Sequence, residues 1–168
     1  VTSAMTNGAE KRSLLAFLAS VQEQMGLYED ARNSYAAAAG IAAGDADGMT
    51  PKSSEQLVLD AVRCALSSGD SDTADSFLNS AVRNSKDETV QAYIKLYAQW
   101  SALCRAESVE NLAEPIALLK TYADLPSMIS VCPKVLLTVW YLTGDNLYSE
   151  RIQKQFPDSP ESWIVSGK

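Results

Sequence analysis

The strongest constraint in this chain is a recurrence of turns. Turn signals fall near residues 26, 69, 106 and 144, spaced by 43, 37 and 38 residues, and Gly26, Gly69 and Gly144 mark three of them. Each turn separates two segments whose apolar residues recur at helical spacing. Before Gly26, one face carries Leu14, Phe17, Leu18, Val21 and Met25. After it, Tyr28, Ala31, Tyr35, Ala38 and Ala42 follow at intervals of three, four, three and four. Alanines on such a stripe predict a neighbouring helix pressed close. A helix pair that repeats about every forty residues predicts an all-α chain built as a solenoid of stacked hairpins.

The later units follow the same plan. The second carries Leu57, Ala61, Val62, Ala65 and Leu66, turns at "SSGDS", and continues with Ala74, Phe77, Leu78, Ala81 and Val82. Thr50 and Pro51 read as an N-cap and first-turn proline at its start. "SKDE" places Ser85 and Glu88 at capping-box spacing before the third unit. That unit opens with Tyr93, Leu96, Tyr97, Trp100 and Leu103, turns near "RAES", and runs on through Val109, Leu112, Ile116 and Leu119. Pro115 within its second segment is expected to kink or restart the helix, because it lacks a backbone donor. The fourth unit begins at "CPKVLLTVWYLTGD", turns at Gly144 and closes at "FPDSP", where Ser159, Pro160 and Glu161 start one last helix. The predicted organisation is a single domain over 1–168, with units at 8–44, 50–85, 86–125 and 127–158 and a terminal helix from 160.

"LLAFLASVQEQMGLYEDARNSYAAAA" resembles the tetratricopeptide repeat (TPR). Leu15, Leu18 and Ala19 match the first-helix positions, Gly26 the turn glycine, and Tyr28, Ala31, Tyr35 and Ala38 the second-helix pattern. Ala43 stands where the family closes on proline, Ser71 replaces an aromatic in the second unit, and the third unit lacks the turn glycine. The resemblance implies a right-handed superhelix of about four antiparallel helix pairs, whose first helices line a concave surface that binds a protein or peptide without catalysis. On the first two units that surface would include Ala16, Ser20, Glu23, Gln56 and Arg63. It lacks the Lys/Arg/Asn set with which some relatives clamp a terminal carboxylate. The "QKQFPDSPES" ending is similar to the joint between repeats in bacterial cell-envelope members, which points to an envelope location. A first residue of Val1, not Met, reads as a processed or trimmed product.

Chemistry is scarce. The 168 residues contain no histidine, which excludes Ser-His-Asp and Cys-His catalysis and any imidazole metal site. No cysteines stand at CxxC spacing, and no glycine-rich phosphate loop appears. No cofactor and no catalytic residues are therefore expected. Cys64, Cys104 and Cys132 read as buried small apolar side chains. Asp45, Asp47 and Gly48 suggest a calcium loop, but its twelfth place is Gln56 instead of a bidentate Glu, so a linker is the expectation.

The net charge is −7, with −5 in residues 1–84 and −2 in residues 85–168. No basic surface for nucleic acid is visible. No apolar run approaches the ~18 residues of a membrane span. A cationic partner would suit the first half, although acidity also simply maintains solubility.

The candidate binding residues are Glu23, Arg63, Tyr93, Tyr97, Trp100, Trp140 and Tyr141. Tyr93, Tyr97 and Trp100 share a helix face, and Trp140 and Tyr141 follow one repeat later. Such rings either line a groove or fill the seam between repeats. Trp100 and Trp140 are read as core, while Tyr97 and Tyr141 are left open. Three uses follow: a protein or peptide scaffold, a carrier of an apolar or lipid-like ligand enclosed by these rings, or a spacer that self-associates.

Overall fold

A computed structural model describes residues 8–40 and 51–167. Nine α-helices run through them: α1 Gly8–Gln24, α2 Tyr28–Ala39, α3 Pro51–Ser67, α4 Ser71–Ser80, α5 Glu88–Arg105, α6 Ala113–Tyr122, α7 Cys132–Thr143, α8 Asn146–Gln155 and α9 Pro160–Ser166. Among the described residues there is no strand. Thr50, the Asp45–Gly48 loop, Ala42 and Ala43 lie outside the described residues. The chain divides into two compact units, Val1–Val90 and Gln91–Lys168.

The first unit holds the pairs α1/α2 and α3/α4, each closed by the same device. Gly26 and Gly69 have φ of 78° and 80°. Only glycine enters this left-handed region without a Cβ penalty. At the first turn the Gly26 N–H donates to the Glu23 carbonyl and Leu27 N–H to Gln22; at the second, Gly69 N–H donates to Leu66 and Asp70 N–H to Ala65. This double bond pattern is the Schellman motif, which satisfies carbonyls left open at a helix end. The chain is thereby turned straight into the next helix. Asp70 then caps α4, accepting from the Thr73 backbone N–H at 3.0 Å and the Thr73 hydroxyl at 2.6 Å.

The interior of this unit is built on small residues. Ala19, Ala31, Tyr35, Ala38, Leu57, Ala61 and Cys64 are buried together, with Leu15, Ala16, Ala36, Ala39 and Phe77 packed against them. The stripe of Ala31, Tyr35 and Ala38 thus faces inward as its spacing predicts. The stripe on α1 does not. Phe17 and Met25 are two-thirds exposed and Leu18 and Val21 more than a third, whereas Ala19 and Arg12 are fully buried. Ala19 allows a close backbone approach, and the guanidinium of Arg12 reaches the Ser54 hydroxyl of α3. Close approach at alanine and this polar bridge set the phase of α1, not its bulkiest residues.

The second unit contains most of α5 together with α6 to α9. A 3-10 turn at Glu110–Leu112 leads into α6, so Pro115 stands in the first turn, where its missing donor has no intrahelical partner to lose. A second 3-10 segment, Pro126–Val131, leads into α7. Leu119, Met128, Val131, Val135, Leu136, Val139 and Ile152 are fully buried. Gly144, at φ 69°, closes α7 with a single bond from its N–H to the Trp140 carbonyl, and Asp145 caps α8 through the Leu147 N–H. Arg151 of α8 reaches back to Asp124 at 3.0 Å and to the Ala123 carbonyl at 3.2 Å. Ser159 caps α9 by accepting from the Ser162 N–H, and Lys134 of α7 pairs with the buried Glu161 at 3.1 Å. Lys134 therefore holds that short helix against α7.

Two local expectations are corrected. The cap of α5 is Asp87, which accepts from the Val90 N–H; Ser85 instead accepts from the Asp87 N–H and donates to Glu55. Cys64 and Cys132 are buried, but Cys104 is exposed, and all three thiols are free.

Candidate functional site

The candidate residues fall into two places, one in each unit. In the first, Glu23 and Arg63 meet. Arg63 donates from Nε to Glu23 Oε2 at 2.7 Å and from Nη2 to Oε1 at 2.8 Å, the bidentate geometry that suits a guanidinium and a carboxylate. Its Nη1 donates to Asp60 at 2.7 Å. The Tyr35 hydroxyl donates to Glu23 Oε1 at 3.1 Å. Four groups from α1, α2 and α3 therefore share one half-buried cluster. Asp60 is not among the residues the sequence singles out, and Tyr35 stands out there only as a packing residue. Asp60 stands three residues before Arg63, a spacing at which helical charges pair, and that signal was available.

The electrostatics follow from the geometry. The Arg63 hydrogen bonds hold the Glu23 carboxyl below its usual value, against an opposing effect of burial. Burial pushes Asp60 up, with Arg63 opposing. The Tyr35 phenol is pushed up to about 12, by burial first and then by the negative charge of Glu23. The Cys64 thiol also rises to about 12, again by burial before the Glu23 charge. The Tyr35 phenol and the Cys64 thiol therefore both keep their protons near neutrality. The cluster ties first helix to first helix between consecutive hairpins. A second tie, Arg32 of α2 to Asp70 at 2.9 Å, joins the first hairpin to the turn of the second. Of the other residues placed on the expected concave face, Ala16 and Ser20 are half-buried and Gln56 is exposed.

Beside this frame lies an open groove of about 310 Å³, lined by Ala36, Ala39, Val58, Phe77 and Ala81, with Ser54, Glu55 and Gly40 at its polar parts. Small side chains leave the space, and among the described residues Glu55 is the charged group in its lining. Phe77 was expected on the packing stripe of α4; here it is half-buried and contributes a wall. Such a groove was not legible from spacing, because it depends on three alanines failing to fill a junction of three helices.

In the second unit the aromatic residues separate. Tyr97 is buried, and its ring lies 5.5 Å from Tyr93 and 5.2 Å from Trp100 in tilted contacts. Trp100 is half-buried and donates from its indole N–H to the Thr138 hydroxyl of α7 at 3.0 Å. That hydroxyl in turn donates to the Lys134 carbonyl at 2.7 Å. Trp140 is half-buried, whereas Tyr141 is 81% exposed. Tyr93, Tyr97 and Trp100 thus form one stacked seam on α5, with Trp100 tied to α7. Tyr141 points to solvent instead of closing a pocket with them.

Among the described residues no group of His, Cys, Asp and Glu is placed to hold a metal ion. No single helix among them is long and apolar enough to cross a membrane.

A family model described as TP_0752_M, a middle domain, matches residues 104–168. The match begins at the end of α5, runs through α6 to α9 and covers less than half of the chain. No curated protein matches the chain. No solved structure matches it.

Proposed function

We propose that this chain is a non-catalytic scaffold of TPR-like hairpins, stacked in a right-handed sense, that binds a protein or peptide. The observation that carries the reading is the repeated hairpin of the first unit. Two helix pairs close on the same glycine turn, and the Glu23–Arg63 pair fastens their first helices side by side. A rigid frame with a groove beside it is how helical repeats present a binding surface. The groove's alanines and Phe77 favour apolar side chains, and the Glu55 carboxylate favours a basic or amino group at one end. An extended peptide with small apolar residues and a basic residue is the partner this lining selects. A place in the bacterial cell envelope is part of the same proposal, resting on the "FPDSP" joint.

A displayed library of short random peptides, selected on the full chain, tests this. Peptides with apolar and basic positions are expected to be retained, and Ala39→Trp, which fills the groove, is expected to release them while the helical circular dichroism stays unchanged. Retention of no peptide, or retention indifferent to Ala39→Trp, refutes the reading. The groove volume also favours a second use, as a site for a small apolar ligand, since ligand pockets begin near ~300 Å³. Saturable uptake of an apolar fluorophore without peptide binding would select that alternative.

A further inference from the structure

The outer face of α1 does not line the groove, and much of its apolar surface is left exposed by the packing of its unit. Leu14, Leu18, Val21 and Met25 are spaced four, three and four apart, which is a coiled-coil seam written along three turns of helix. Phe17 flanks it, and Leu27 follows at the turn. Leu14 is half-buried, whereas Leu18 and Leu27 are more than two-fifths exposed and Phe17 and Met25 are two-thirds exposed. An aromatic side chain presents roughly 150–250 Å² and an aliphatic one less, so at these partial exposures the seam offers on the order of 500 Å² of apolar surface. A patch of this size is comparable to the largest that a single molecule ordinarily exposes, roughly 300–600 Å², and such patches are often functional.

We propose that this face is the interface of a homodimer in which α1 packs antiparallel against α1 of a second copy. Charge argues for a second copy. The chain carries −7, so most of its faces repel one another. From Ser13 to Leu27 the only charged residue is Glu23, and its carboxylate is occupied by Arg63 on the inner side of the helix. The seam is therefore the place where two acidic chains meet without like charges. Lys11 argues for the antiparallel sense. It lies three residues before Leu14, on the same seam and exposed. Parallel packing would set Lys11 against its own copy. Antiparallel packing brings Leu14 to Met25 and Leu18 to Val21, and places Lys11 at the carbonyl end of the partner helix, where a cation is favoured. A two-fold axis needs such a self-complementary surface. Two patches of this size bury about 1,000 Å², at the lower limit for a specific interface. The dimer is accordingly weak and concentration-dependent.

Sedimentation equilibrium of the full chain from about 1 µM to about 1 mM is expected to show reversible passage from monomer to dimer. Leu18→Glu is expected to weaken it at least tenfold, and Lys11→Glu several-fold. Side-chain oxidation footprinting of the unaltered chain is expected to show Phe17 and Met25 protected at high concentration and open at low concentration. A monomer throughout the range overturns the proposal. So does a dimer in which Phe17 and Met25 stay open, or one that a folded Leu18→Glu leaves unchanged. Tightening by Lys11→Glu overturns the antiparallel arrangement. If Leu18→Glu fails to fold, the footprint of the unaltered chain decides alone.

Discussion

Replacing Arg63 by methionine isolates the tie between the first helices of consecutive hairpins. Methionine keeps an unbranched stem in the same space and removes the guanidinium, so packing loss is kept small. Glu23 then loses both of its Arg63 bonds and retains the Tyr35 hydroxyl at 3.1 Å, and Asp60 loses its 2.7 Å partner. A hydrogen bond to a charged group contributes about 1.5–3 kcal/mol, but the Arg63 and Glu23 side chains are 36% and 23% exposed, and solvent screens the pair. The expected loss is about 2 kcal/mol at pH 7. A double-mutant cycle with Glu23→Gln, followed by urea denaturation, is expected to return a coupling of about 1–2 kcal/mol. The pH dependence has a definite sign. Glu23 has a folded pKa below its ordinary 4.5, so its contribution is present above that value and is lost as pH falls through the folded pKa. The gap between Arg63→Met and the unaltered chain should therefore narrow below about pH 4.5. Asp60 works the other way: burial raises its pKa, so its ionisation costs stability above the folded value, and acid relieves that cost. A coupling below about 0.5 kcal/mol, or a gap constant from pH 7 to pH 3, would refute the account of this cluster as a structural tie.

Three further outcomes are expected. Gly69→Ala, at φ 80° with nothing within 4 Å of the new Cβ, should cost about 1–2 kcal/mol through backbone strain alone, while Gly40→Ala, in ordinary helical conformation, should change stability by less than about 0.5 kcal/mol in the same denaturant titration. Tyr97→Ala should lose about 3 kcal/mol or more by emptying a buried site, and Tyr141→Ala should stay within about 0.5 kcal/mol. With a thiol reagent at pH 8, Cys104 should react at once, whereas Cys64, pushed up to about 12, and Cys132 should react only after unfolding.

What the sequence made legible was local and of two kinds. Gly26, Gly69 and Gly144 stand out because left-handed backbone has almost one residue type available to it. Ala31, Tyr35 and Ala38 stand out because small residues at helical intervals have little use except close packing. The phase of α1 was not legible in this way. Ranking its faces by hydrophobicity selects Phe17 and Met25, but burial goes to the face with Arg12, Ala19 and Glu23, and the Ser54 and Arg63 side chains that Arg12 and Glu23 meet lie 42 and 40 residues away. A fully buried arginine contradicts the usual sorting of charge to the surface, and only the tertiary structure supplies the Ser54 hydroxyl beside it. Of the candidate residues, Glu23 and Arg63 meet, but chiefly to bind each other. The aromatic group divides because Tyr97 and Tyr141 occupy different helices, on faces that one-dimensional spacing does not relate.

The hydroxyl of Tyr35, held against Glu23, has a practical consequence for labelling. Nitration and iodination attack the phenolate, and a phenol whose pKa has risen to about 12 supplies very little of it at working pH. Tyr141 stands in water on the second unit. The chain thus carries a silent tyrosine in one compact unit and a reactive one in the other. Mild nitration followed by peptide mapping would read the integrity of the first unit as the absence of modification at Tyr35, with Tyr141 in the same tube as the positive control.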